Sequence, residues 1–134
     1  MRINHLAVIV AAVVYWLFGG LWYGLIFKGA WMSLTGITSG GDATNAMITS
    51  TLMALVLAYT TGIALTGTTH AQPARHGVEF GLFMGVGIFA SQTLMDFMFE
   101  ARPVALWAID AGHVVLGMVI IGAVVGAWQK KAVA

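Results

Sequence analysis

Four stretches of apolar sequence, residues 6–27, 44–66, 77–99 and 104–128, leave this chain few folds to choose from. The first two carry no charged residue, the third only Glu79 and Asp96, and the fourth only Asp110. At about 1.5 Å per residue the first stretch makes a helix of roughly 33 Å, enough to cross a bilayer core of about 30 Å. The expected architecture is therefore all-α: a transmembrane four-helix bundle, one integral membrane domain over residues 1–134, in contact with the lipid bilayer. Composition agrees. Charged residues make up 8% of the chain, where a soluble domain carries about 25%. With a mean hydropathy of +0.91, the chain in water would leave large apolar patches uncovered. The formal net charge of +1 offers no basic stripe, so nucleic acid is not an expected partner. The absence of cysteine excludes disulfides, thiolate metal sites and cysteine nucleophiles.

The connections set the topology. Arg2 followed by an apolar run also resembles a signal peptide. The run is long for that, and it holds Trp16, Trp22 and Tyr23. With Met1 at its head, we expect the segment to be retained as a span. Residues 28–43 form the longest polar connection. Trp22, Tyr23 and Trp31 bracket its first half at the level aromatics prefer, and residues 31–34 suggest a short interfacial turn. Gly40-Gly41-Asp42 reads as a break, with Asp42 or Thr44 capping the second helix. Residues 67–76 read as a polar turn holding His70, Pro73, Arg75 and His76. Glu100-Ala101-Arg102 is a tight turn, and Pro103 suits the first turn of the fourth helix. Four spans put both termini on one side with Arg2, Arg75, Lys130 and Lys131, against Lys28 and Arg102 opposite. The positive-inside tendency makes that side cytoplasmic, in a cytoplasmic (inner) membrane.

Small residues suggest how the spans meet, because close approach in lipid relies on them. Gly77, Gly81 and Gly85 recur every fourth residue in the third span, and the stripe runs on through Gln92 and Asp96. Ala54, Ala58 and Gly62 repeat the pattern in the second span, Gly122 and Gly126 in the fourth, and Gly20 and Gly24 in the first. A glycine-lined face of this kind also suits a homo-oligomer, as does a chain too small to enclose a pathway alone. The threonines of the second span can bond back to their own helix. Met84, Met95, Met98 and Met118 read as gap-filling apolar residues.

The polar residues concentrate in one hairpin. Residues 96–113 hold Asp96, Glu100 and Asp110, three of the five carboxylates, with Arg102 and His113. Asp110 lies about 9 Å below the start of its helix and His113 roughly 13 Å. On a helical projection Asp110, His113 and Gly117 share a face that should look inward, toward Asp96, Trp22 and Tyr23, with Gly112, Val115, Val119, Gly122 and Gly126 behind it. The bland reading is structural: a Glu100–Arg102 ion pair, with Asp110 and His113 satisfying hydrogen bonds. It accounts less well for Asp110 and His113, since a charge near mid-membrane costs about 2.5–3.5 kcal/mol even on lenient scales. The candidate ligand or ion site is thus Asp110, His113, Asp96, Glu100, Arg102, Trp22 and Tyr23. Three function classes follow: an oligomeric or accessory subunit of a membrane complex, a small proton- or ion-coupled translocator working as a dimer, or a metal- or small-ligand-binding protein. For metal, Asp110 and His113 are weak candidates, half of a carboxylate–histidine site with the other half lacking on the second span. His5 belongs at the opposite membrane face. No serine or threonine sits at a nucleophile turn near His113, which disfavours a nucleophilic enzyme, and the residues indicate no particular cofactor.

Two blocks carry a resemblance. Residues 19–32 read Gly-Gly-Leu-Trp-Tyr-Gly-Leu-Ile-Phe-Lys-Gly-Ala-Trp-Met, and Glu100-Ala101-Arg102-Pro103 is followed by Ile109-Asp110-Ala111-Gly112-His113. Together they resemble the family catalogued as domain of unknown function 1761, over nearly the whole chain. The resemblance implies a small four-span membrane protein in which Trp22, Tyr23, Gly24, Trp31, Asp110, Gly112 and His113 match pattern positions. It implies a fold rather than an activity.

Overall fold

The computed structural model describes residues 3–38, 43–66 and 72–129. Arg2, Gly40, Gly41, Asp42, His70, Lys130 and Lys131 lie outside the described residues. Among the described residues, four helices are long and apolar enough to cross a membrane: the first span, His5–Ile26, the second, Ala43–Leu65, the third, Pro73–Phe99, and the fourth, Val104–Ala127. There is no strand among the described residues. The chain is a multi-pass membrane protein.

Local chemistry sets the ends of the helices. Asn4 caps the first span, its side-chain oxygen accepting from the Ala7 N–H, and donates its amide to the Trp128 carbonyl at 2.7 Å. Gln129 donates to the Leu65 carbonyl at 2.9 Å. The start of the first span and the ends of the second and fourth are therefore tied at one end of the bundle. There, too, His5 pairs with the Tyr59 hydroxyl at 3.1 Å. The third span begins earlier than the polar turn suggested. Pro73 takes the first helical position, where its missing N–H is no loss, so Arg75 and His76 belong to the first turn. Thr44 stands inside the second helix rather than at its cap. The interfacial turn is a full short helix, Lys28–Thr35, closed by Gly36 in the left-handed region.

The fourth span is the centre, with the first, second and third all packed on it. The second also packs on the first. Near the tied end the seam is made of small residues. Val8, Ala11, Ala12, Ala54 and Ala58 close on Met118, Ile121 and Val125, and all are buried. Thr51, Thr60 and Thr61 bond back to carbonyls four residues earlier, as expected. Met118 fills the core and Met84 packs at its edge, whereas Met95 and Met98 face outward.

The third and fourth spans meet backbone to backbone. A Cβ on Gly77 would run into the Gly122 carbonyl, one on Gly81 into the Met118 carbonyl, and one on Gly126 into the Pro73 carbonyl. On Gly85 it would stand 2.9 Å from the Val115 Cα. Beyond Gly85 the third span makes a π-helical turn, Gly85–Ala90. The extra residue rotates everything after it. The inward stripe steps from Gly85 to Ala90 and on to Phe97, both of them buried, and Gln92 and Asp96 turn outward. A constant 100° per residue could not foresee that rotation. By contrast, a Cβ on Gly20 or Gly24 would meet nothing within 4 Å, so that pair lines no seam within the chain.

Candidate functional site

The site lies between the first and fourth spans, in the half away from the tied ends. Five first-span residues at helical spacing, Tyr15, Phe18, Gly19, Trp22 and Tyr23, face the fourth span in one stripe. Where the first span passes from alanines to rings, the two helices stand apart and the rings fill the gap. The Tyr15 ring lies where a Cβ on Gly117 would be, and Trp22 Cζ2 would be 3.1 Å from one on Gly112. Gly112 therefore belongs to this face, not to the opposite face with Gly122 and Gly126.

His113 is at the centre of the rings and only 8% exposed. Its imidazole stacks on Phe18 with an interplanar angle of 7° and a centroid separation of 5.4 Å. Tyr15, Trp22 and Tyr23 lie 5.2, 6.4 and 5.0 Å away, each tilted. Nε2 presses on Gly19, 3.1 Å from where a Cβ would stand, so a larger residue there would have to push the ring by a few tenths of an ångström. That nitrogen is buried and has no hydrogen-bond partner among the described residues.

Tyr23 and Trp22 fix the first span to the fourth by polar bonds. The Tyr23 hydroxyl donates to Asp110 Oδ1 at 3.0 Å, and the Trp22 indole N–H donates to the Ile109 carbonyl at 3.0 Å. A second π-helical turn, Trp22–Ile26, follows directly. Through it Phe27 comes back onto Trp22, with its N–H bonded to the Trp22 carbonyl at 2.8 Å and ring centroids 4.6 Å apart. Trp31 of the short helix closes edge-on over Tyr23 at 5.6 Å. Asp110 is half-buried. The ion pairs among the described residues are Arg75–Glu79 and Arg102–Glu100, and neither reaches it.

The structure thus divides the expected cluster. Asp110, His113, Trp22 and Tyr23 come together. Asp96 does not join them: it is exposed on the outer face of the third span and accepts from the Gln92 amide at 3.2 Å. Glu100 and Arg102 stay at the turn, 3.5 Å apart, with the Arg102 guanidinium 3.8 Å over the Phe97 ring. Tyr15, Phe18 and Gly19 were not singled out from sequence, although their spacing with Trp22 and Tyr23 could have revealed them. No group of three or more His, Asp or Glu suited to a metal ion occurs among the described residues.

Comparison with known proteins adds the family. The family model described as Protein of unknown function (DUF1761) matches residues 6–126, and the chain belongs to that family. No curated protein and no solved structure matches it.

Proposed function

We propose that this DUF1761 protein is an oligomeric or accessory subunit of a membrane assembly, working as a homo-oligomer or within a larger complex. The observation that carries this reading is the outer face of the third span. That span packs on the fourth and leaves Met95 and Met98 exposed beside Gln92 and Asp96. Polar and ionisable groups within a span rarely face lipid. Gln92 lies roughly 10 Å inside the end of the helix at about 1.5 Å per residue, deep enough to favour a protein neighbour. Gly77, Gly81 and Gly85 of the third span and Gly122 and Gly126 of the fourth are already packed within the chain, so the assembly surface is sought on this outer face instead. The four spans act as one membrane domain, and the count of basic residues favours cytoplasmic termini in an inner membrane.

The test is cross-linking in native membranes from cysteines placed at Met95 and Phe99, followed by native mass measurement after gentle extraction. We expect a defined oligomer or a co-purifying partner. Monomer alone under both conditions rejects the reading.

A second reading, a small proton- or ion-coupled translocator working as a dimer, draws on Asp110 lying within a span without a cation. Flux that survives His113→Ala and Asp110→Asn unchanged eliminates it. A metal-binding role has less support, since Asp110 and His113 lack a third ligand of the usual kinds among the described residues.

A further inference from the structure

We propose that Asp110 and His113 together bind one proton, bridged by Tyr23, inside the ring cluster. The inference rests on neither reading above, because a bound proton requires neither a partner chain nor transport. Two independent observations point to a missing ligand. His113 is more than nine-tenths buried and its Nε2 is unpartnered. Asp110, in the same span, has no cation among the described ion pairs.

An unpaired buried nitrogen and an uncompensated carboxylate are each costly in a medium without water. A single added proton answers the carboxylate, by placing a positive charge on the neighbouring imidazole. Taken from water, it forms one new N–H bond on the imidazole. The resulting positive charge offsets the Asp110 negative charge, so the loaded pair is neutral overall. The surroundings suit that state. Aromatic faces attract a cation lying within about 6 Å of the ring centroid, and Phe18, Tyr15 and Tyr23 lie within that range of the imidazole. Tyr23 touches both partners, donating its hydroxyl to Asp110 while its ring lies against His113.

A larger cation fits less well. The imidazole itself occupies the space between the rings, and Nε2 lies close against Gly19. The other titratable and charged groups on the surrounding elements are few. The first span contributes Tyr15 and Tyr23, and the short interfacial helix begins with Lys28. The third span contributes Asp96, which is turned outward onto Gln92, and, at its opposite end, His76 and the paired Arg75 and Glu79. The second span's Tyr59 is bonded to His5 at the far end.

The experiment is nitrogen-15 NMR of ring-labelled histidine in the full chain, reconstituted in lipid bilayers, between about pH 8 and pH 5, where imidazole ordinarily changes charge. His113→Gln assigns the signal. We expect the two His113 ring nitrogens to convert from the neutral to the imidazolium pattern in the wild type. In Asp110→Asn that conversion should be lost, and Asp110→Glu should restore it. Emission from Trp22 should be quenched in step with the conversion, and Trp22→Phe should remove that component. An imidazole that stays neutral throughout the range in the wild type overturns the proposal. So does a conversion that is identical in Asp110→Asn. If Asp110→Asn does not fold, the wild-type titration and Asp110→Glu still decide it.

Discussion

Along one side of the fourth span the third lies backbone to backbone, with Gly77, Gly81 and Gly85 set against Gly122, Met118 and Val115. Along the other side the first span stands off on rings, and Trp22 and Tyr23 reach across to bond Ile109 and Asp110. Both seams join helices in a solvent that supplies no hydrophobic force between them. The first gains dispersion contact by removing side chains. The second fills the gap with rings and spends polar bonds to set register. The glycine seam has no freedom to yield, since its contacts are backbone on both sides. The aromatic seam is made of side chains, which can turn. Mechanical rigidity and chemistry are therefore separated onto opposite faces of one helix.

The sharpest way to break that contrast is to add a side chain to the glycine seam. Gly81→Leu must push the Met118 carbonyl away, and neither helix can accommodate it without separating. We expect a loss of about 3 kcal/mol or more, at the upper end of overpacking costs. Unfolding in mixed micelles measures it. A Gly81→Leu protein of wild-type stability would mean that the two backbones are not in contact there.

The polar bond on the other seam should be worth much less. Removing the hydroxyl in Tyr23→Phe, or the charge in Asp110→Asn, disturbs one hydrogen bond between spans. Such bonds in membranes average about 0.6 kcal/mol and reach about 1.7 kcal/mol. A double-mutant cycle on these two positions should give a coupling of about 1 kcal/mol, with the double variant close to either single one. Coupling near zero would show that the bond does not hold the seam.

The four spans were legible because their signal is additive: twenty or so apolar residues in a row need no tertiary knowledge. The pairing of Asp110 and His113 on one inward face was legible too, since three residues within a regular helix fix an angle. Asp96 was misplaced, and the cause is local. The π-helical turn at Gly85–Ala90 inserts one residue into the count, and nothing in Gly-Val-Gly-Ile-Phe-Ala announces it. The seam it faces supplies a physical reason. Past Gly85 the side chains grow to Ala90, Thr93 and Phe97, and the Trp107 indole N–H bonds the Ala90 carbonyl at 3.1 Å. The cage around His113 escaped notice for a different reason. Tyr15 and Phe18 are ordinary residues in an apolar span, and only their partner on the fourth span gives them meaning.

The smallest expected effect lies in the turn that joins the two helices of the rigid seam. The Arg102 N–H bonds the Phe97 carbonyl at 2.9 Å and the Ala101 N–H bonds the Met98 carbonyl at 3.3 Å, the pattern of a helix closed by a left-handed residue. That residue is Ala101, at φ 55°. Glycine ordinarily holds this position, because a Cβ there crowds the following carbonyl at a cost of about 1–2 kcal/mol. Ala101→Gly removes the crowding but gives the unfolded chain more freedom, which takes back part of the gain. A net stabilisation of about 1 kcal/mol or less should remain in the same mixed-micelle unfolding measurement. The proton conversion at His113 should be unmoved, since the turn lies on the rigid side of the fourth span. A destabilised Ala101→Gly protein would mean that the turn is not left-handed. A shifted His113 conversion would mean that the two faces of the fourth span are coupled after all.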